Sequence, residues 1–263
     1  MSEFLKRVSV GAVLLCATFT SSGGAEIRFV AEKSKNRVSD WAHVEIAGEI
    51  VQGDVQKLRK ALEEATTRAI ETYAPIVIIN SQGGSVSVSL EMGKVLRDYH
   101  ANTVVDGNGT CSSSCIFVFA GGVMRDLFSN GRFGLHRPRF DYEQFSNLPE
   151  DQARAAYETL SSACADFMRR MGISERVFSE MLKVPSQEIR FVGREYAEKY
   201  NLVGTDPGWE EWVRARDIHD WGEARIKARD RLLDCYKRGG NDVECKGRYE
   251  RELREINQLN GKQ

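Results

Sequence analysis

The stretch Ile76-Val77-Ile78-Ile79-Asn80-Ser81-Gln82-Gly83-Gly84 decides the fold. Four apolar residues in succession read as a short strand buried on both faces. Asn80 to Gly84 is a clear turn, and Ser85 to Tyr99 reads as a helix. Upstream, His43 to Ile50 alternates loosely, as a strand does, and Asp54 is the expected N-cap of a helix over Val55 to Tyr73. Downstream, Thr103-Val104-Val105 is a third strand, Cys111 to Gly122 reads as a buried helix, and Arg132 to Leu135 is a fourth strand. A polar and aromatic loop, His136 to Leu148, leads to a long amphipathic helix, Asp151 to Met171, and a shorter one, Ser174 to Leu182, with Ser174 as N-cap. Strand Ile189 to Val192, helix Arg194 to Tyr200 and strand Asn201 to Val203 follow. This alternation predicts an α/β fold with a parallel sheet and helices around it.

The 263 residues carry 37 Lys+Arg against 38 Asp+Glu, a formal net charge of −1. That balance argues against a strongly basic nucleic-acid binder and a polybasic membrane binder. Residues 1–25 have the pattern of a signal peptide: Lys6 and Arg7, then apolar Val8 to Thr20, then small residues Gly23 and Ala25, with cleavage expected after Ala25. The competing reading is an uncleaved N-terminal anchor. No later stretch approaches 18 apolar residues, so no integral membrane segment is expected after signal cleavage. The expected location is exported, periplasmic or secreted, where disulfides persist. Loss of Cys16 with the leader leaves Cys111, Cys115, Cys164, Cys235 and Cys245.

Composition shifts after Gly204. Asp206-Pro207-Gly208 breaks the pattern, Trp209, Trp212 and Trp221 follow, and Glu223 to Asn257 is highly charged. Two helical halves meet at Gly239 to Asp242, with Cys235 and Cys245 flanking the turn. The expectation is a helical hairpin stapled by a Cys235–Cys245 disulfide. Three parts result: a signal peptide (1–25), an α/β domain (26–205) and a C-terminal Trp-containing charged helical hairpin (206–263).

Two glycine-rich turns, Asn80 to Gly84 and Asn108 to Ser114, each leave a strand and feed a helix. Backbone N–H groups at such turns can hold an oxyanion. Ser112, Ser113 and Ser114 lie at the second turn, and His136 directly follows a strand. Taken singly, glycine pairs turn the chain, serines cap helices and a loop histidine is ordinary. Together they supply a nucleophile, a base and a donor pair, all at strand ends where parallel sheets place their sites.

These segments resemble the Clp protease proteolytic subunit family (ClpP). INSQGGSV, Ile79 to Val86, is similar to its glycine-rich oxyanion segment, and the upstream AHVEIAGEI to its preceding strand. CSSSCIFVFAGG, Cys111 to Gly122, resembles its nucleophile segment, with the serine nine residues before a helix-ending glycine, which selects Ser113. RFGLHRP, Arg132 to Pro138, resembles its histidine segment and selects His136. Asp151 to Met171 resembles its handle helix, and RFVGREYAEKYNLVG, Arg190 to Gly204, its closing strand–helix–strand. The resemblance spans about residues 43–205. It implies a ClpP/crotonase-like repeated β-β-α spiral core, here with a C-terminal helical hairpin. It also implies a serine hydrolase acting on a peptide or protein substrate, with Ser113 as nucleophile, His136 as general base, and an oxyanion hole from Gly83 or Gly84 and Ser114.

Three departures matter. Met181 stands where the family has its triad acid, leaving Glu180, Ser186 or Glu188 as candidate third members. Gln82 stands where the family has proline. An exported chain meets no ATP, so no ATPase partner is expected. The handle-like helix makes a homo-oligomer a candidate state. Cys111 and Cys115 bracket Ser113 and form a candidate second disulfide, while Cys164 is most simply core packing. No CxxC…HxxxH spacing is present, so neither metal nor cofactor is expected. Two other classes compete: a catalytically inactive ClpP-fold binding or scaffold protein of the cell envelope, and a crotonase-type acyl-CoA enzyme, to which an exported chain offers little access to CoA.

Overall fold

The computed structural model describes residues 23–32, 41–68, 74–128, 130–138 and 148–260. Most of the expected leader, the last turn expected of the first helix (69–73) and most of the expected loop after His136 (139–147) lie outside these. The described strands are β1 (Glu26–Glu32), β2 (Trp41–Ile50), β3 (Ile76–Gly84), β4 (Asn102–Val105), β5 (Thr110–Ser112), β6 (Met124–Leu127), β7 (Arg132–Leu135), β8 (Arg190–Val192) and β9 (Gly204–Thr205). The helices are α1 (Asp54–Arg68), α2 (Val86–Asp98), α3 (Cys115–Ala120), α4 (Glu150–Arg170), α5 (Glu175–Lys183), α6 (Arg194–Lys199), α7 (Pro207–Trp221), α8 (Glu223–Lys237) and α9 (Asp242–Asn260).

β3 is the hinge of the architecture. It pairs in parallel with β2 along one edge; along the other, Ile76–Ile78 pairs with β4, and Ser81 pairs with Cys111 of β5. The sheet therefore forks. One branch runs β4–β6–β9 and the other β5–β7–β8. Antiparallel strands β1, β8 and β9 join onto the otherwise parallel core at β2, β7 and β6. The fork carries the chain from β3 onto a second surface at the point where its sequence changes from apolar to Asn-Ser-Gln-Gly-Gly.

The core lies between the sheet and helices α1 to α5. Every residue of α3 is buried, with Phe117 edge-on to Phe167 of α4 at 6.4 Å and Phe119 edge-on to Phe133 of β7 at 4.8 Å. Full burial of one such phenylalanine stabilises the fold by roughly 2–3 kcal/mol. Cys164 of α4 is a buried free thiol in this core, its pKa pushed up to about 12 by burial.

Several expectations change. The segment expected as one buried helix, Cys111 to Gly122, is β5, a two-residue turn and α3. Its small polar start pairs into the sheet instead of coiling. The last strand is Gly204–Thr205 rather than Asn201 to Val203. Strand β1, whose alternating Ile27 and Phe29 pack against the core, adds to the expected strands, and β6 is four residues with too little hydrophobic pattern to be read. Asp54 does not cap α1 from outside; it is the first helical residue, and its carboxylate accepts from Val51 and Ala25 N–H. Ser174 caps α5 as expected, accepting from Arg176 N–H.

Beyond β9, Asp206 caps α7, and Trp209 and Trp212 pack beside His100 with ring centroids at 4.6 and 5.4 Å. α8 and α9 form the expected hairpin, closed by the Cys235–Cys245 disulfide. Its exposed faces carry ion pairs such as Arg231–Glu252 at 2.8 Å. No helix among the described residues is long and apolar enough to cross a membrane.

Candidate active site

The three serines of Cys111 to Cys115 are sorted by backbone geometry. Ser112 ends β5, opposite Gly134 of β7, and is almost fully buried; a side chain on Gly134 would come within 2.2 Å of the Ser112 hydroxyl. Ser113 extends the ladder by one bond, its N–H donating to the Gly134 carbonyl at 2.8 Å. It then takes φ 57°, one of few residues other than glycine in the left-handed region. That conformation is uncommon for a residue with a side chain, costs on the order of 1–2 kcal/mol and clusters at functional sites. Ser114 turns the chain into α3, and its hydroxyl accepts from Gly84 N–H at 2.9 Å and donates to the Gly84 carbonyl at 3.0 Å.

A disulfide joins Cys111, before the turn, to Cys115, after it, with Cα atoms 5.3 Å apart. The strained residue is therefore held on both sides: by the β5–β7 ladder and by a covalent clasp.

His136 follows Leu135, the last residue of β7. Because Ser112 pairs with Gly134, Ser113 and His136 leave neighbouring parallel strands within one residue of register. Such strands run about 4.8 Å apart. The ring is half-buried and its Nδ1 is shielded from solvent. The next residue anchors the segment: Arg137 N–H donates to the Val184 carbonyl at 2.8 Å, and its guanidinium to the Leu182 carbonyl at 3.0 Å. The end of α5 thus fixes where the histidine stands.

Asn80 to Gly84, expected as a turn, is instead the end of β3, held there by pairing of Gly83 and Gly84 with β2, and it meets the serine turn directly. Gly83 has φ 94°, and a Cβ there would lie 2.7 Å from the Ser112 carbonyl, 2.8 Å from Ser113 Cβ and 3.0 Å from Ser114 N. Only glycine leaves that space open. Without substrate, both glycine amides expected as oxyanion donors already have partners. Gly83 N–H donates to Ser81 Oγ at 3.0 Å, and Ser81 in turn donates to the Gly48 carbonyl at 2.5 Å. Gly84 N–H is taken by Ser114 Oγ. Both glycine amides are closed by hydroxyls. Nothing in the sequence singles out the hydroxyls of Ser81 and Ser114, because serines at a strand end or a helix start ordinarily signal only turns and caps.

Of the candidate third members, Glu180 is committed elsewhere. Its oxygens lie 2.7 Å from Lys183 Nζ and 2.8 Å from Arg190 Nη2, and hydrogen bonds from these cations hold its pKa below the usual carboxylate range. Ser186 is half-buried and Glu188 exposed, on the turn before β8. Met181 is fully buried in the core. His43 sits 3.2 Å from Glu45, and His219 2.9 Å from Asp220. Among the described residues no three of His, Cys, Asp and Glu gather as metal ligands would. A cavity of about 420 Å³ opens elsewhere, reaching the starts of β3, β4 and β6 at Ile76, Asn102 and Met124 rather than the strand ends that carry Ser113 and His136.

No protein-family model matches the chain, and no curated protein matches it in sequence. Solved structures do. The chain is similar to a mutant of the 1510-N membrane-bound stomatin-specific protease, at 12% identity over 60% of this chain and 75% of that one, with a TM-score of 0.46. It is similar to a second mutant of that protease in complex with a substrate peptide, at 13% identity over 60% and 71%, with a TM-score of 0.46. It is also similar to ClpP1 from Listeria monocytogenes, at 18% identity over 60% and 86%, with a TM-score of 0.44. These are likenesses of fold.

Proposed function

We propose that this chain is an exported, ATP-independent serine hydrolase of ClpP-like fold, acting on peptide or protein substrates. Ser113 Oγ attacks the scissile carbonyl, His136 takes its proton and returns it to the leaving amine, and water then releases the acyl group. The observation that carries the reading is Ser113 in the left-handed region at the end of β5, one register step from His136 at the end of β7. Gly84 and Ser114 N–H are the assigned oxyanion donors. With Glu180 held by two cations and Met181 in the core, Ser186 and Glu188 remain the candidate third members, and a site lacking the family's acid works at a reduced rate. Two disulfides accord with an oxidising compartment. Self-association through α4, whose buried residues are confined to Cys164, Phe167 and Met168, belongs to the same proposal and is read by sedimentation.

The test is labelling of the mature protein with a fluorophosphonate. The expected adduct is on Ser113, absent in Ser113→Ala. A second reading, an inactive binding or scaffold protein of the envelope, is favoured by the two closed glycine amides. Absent labelling together with peptide retention by both proteins would establish it.

A further inference from the structure

The start of the described chain is built into the fold in a way that the predicted leader boundary does not explain. Ala25 is 1% exposed and belongs to the hydrophobic core. Its N–H donates to Asp54 Oδ2 at 3.0 Å, and its carbonyl accepts from Lys57 Nζ at 3.3 Å. Asp54 is fully buried. Its carboxylate also accepts from Val51 N–H at 2.9 Å and pairs with Lys57 Nζ at 2.8 Å, the Lys57 side chain being about half exposed. Gly24 passes so close that a Cβ would lie 2.1 Å from the Val51 side chain and 2.9 Å from Asp54 Oδ1; around Gly23 the space is open. The boundary between leader and fold therefore falls at Gly24, with Ala25 inside.

Cleavage after Ala25 would remove a core methyl group, take one donor from a buried carboxylate and delete the carbonyl that Lys57 holds. Cleavage one residue earlier removes none of these. It also leaves small residues, Ser22 and Gly24, at the two positions a signal peptidase reads. We propose that processing breaks the Gly24–Ala25 bond and that Asp54 is the receptor for the new α-ammonium of Ala25. Signal peptidase adds water across the peptide bond: hydroxyl goes to the Gly24 carbonyl carbon, hydrogen to the Ala25 nitrogen, and the amine takes a further proton from solvent. The donor already on Asp54 becomes a charged one, and charge-assisted hydrogen bonds to a carboxylate are roughly twice as strong as neutral ones. The buried charge is then offset by both Lys57 and the chain terminus, tying β1 to the first turn of α1.

The proposal rests on the export reading, and one experiment separates the two. The full chain with its leader is expressed in a Gram-negative host, the envelope fraction is recovered, and the intact mass and N-terminal sequence are read. A start at Ala25 is expected. A start at Gly24 or Glu26 overturns the assigned bond but leaves export standing; a start at Met1 overturns both. The receptor is tested on the same protein with acetic anhydride at pH 7, which acylates the unprotonated amine. The Ala25 amine should react at least tenfold more slowly in the native protein than in urea. Equal rates would show that Asp54 does not hold it.

Discussion

Ser113→Gly separates the cost of placing the proposed nucleophile from its proposed chemistry. Ser113 holds φ 57°, which for a residue with a Cβ costs on the order of 1–2 kcal/mol. Glycine removes that cost but is freer when unfolded, which returns about 0.4–1 kcal/mol of the gain. The backbone bonds of the turn, Ser113 N–H to Gly134 and Ile116 N–H to Ser113, do not involve the side chain and survive the change. The net expectation is a stabilisation of about 0.8 kcal/mol, which in a chain of this size raises the unfolding midpoint by roughly 2–3 °C. Ser113→Ala keeps the strained Cβ and loses only the hydroxyl, so its midpoint should stay within about 1 °C of the parent. Both variants should lose fluorophosphonate labelling entirely. Differential scanning calorimetry on the three oxidised proteins reads the difference. A Ser113→Gly protein no more stable than Ser113→Ala would refute the claim that strain is stored at Ser113.

Other consequences follow from the same geometry. Ser114→Ala uncovers Gly84 N–H, and the loss of about 1 kcal/mol of internal hydrogen bonding should speed labelling of Ser113 roughly fivefold; slower labelling would assign Ser114 a supporting role instead. Replacing Cys111 and Cys115 together by alanine releases the clasp around the turn, with an expected loss of about 2 kcal/mol and of most labelling, whereas replacing Cys235 and Cys245 should cost about 3 kcal/mol in the hairpin and leave labelling intact. Cys164, with its thiol pushed up to about 12, should resist iodoacetamide at pH 9 in the native protein and react in urea. The folded pKa lies above the ordinary 9.0, so the native state binds the extra proton and stability falls as pH rises from about 9 to 12; Cys164→Ala should flatten that fall in urea titrations.

What could be read from the sequence was what hydrophobic pattern and turn chemistry encode. The apolar run of β3, the long helix α4 and the hairpin between α8 and α9 each carry many residues of signal and stand close to where they were expected. β5 was hidden because its three residues, Thr110 to Ser112, earn their strand conformation from pairing with β3 and β7, both distant in sequence. β9 is two residues held by β6 alone. At the candidate site, the order of glycine-rich segment, serine turn and histidine was legible, but not that the glycines end a strand. The hydroxyls of Ser81 and Ser114 were not, because what they do depends on which amide lies within 3 Å, and no spacing rule carries that. The Cys111–Cys115 pair lay between: bracketing was visible, bonding needed the turn's geometry.

The closed amides bear on how such a site discriminates. A neutral substrate carbonyl that accepts from Gly84 N–H must displace Ser114 Oγ, exchanging one neutral hydrogen bond for another with little net gain. The oxyanion formed after attack accepts a charge-assisted bond about twice as strong, so for it the exchange is favourable. The charge-assisted bond, made only after attack, is the differential that accelerates the chemical step; the hydroxyl imposes the same displacement cost on both states and so weakens substrate binding. The same closure satisfies a polar group in a tightly packed turn when no substrate is bound, where a bare amide would cost about 1–3 kcal/mol. On this account Ser114→Ala should lower KM more than it changes kcat, since it removes a competitor that the ground state feels in full. An unchanged KM with a raised kcat would place the hydroxyl's influence on the transition state instead.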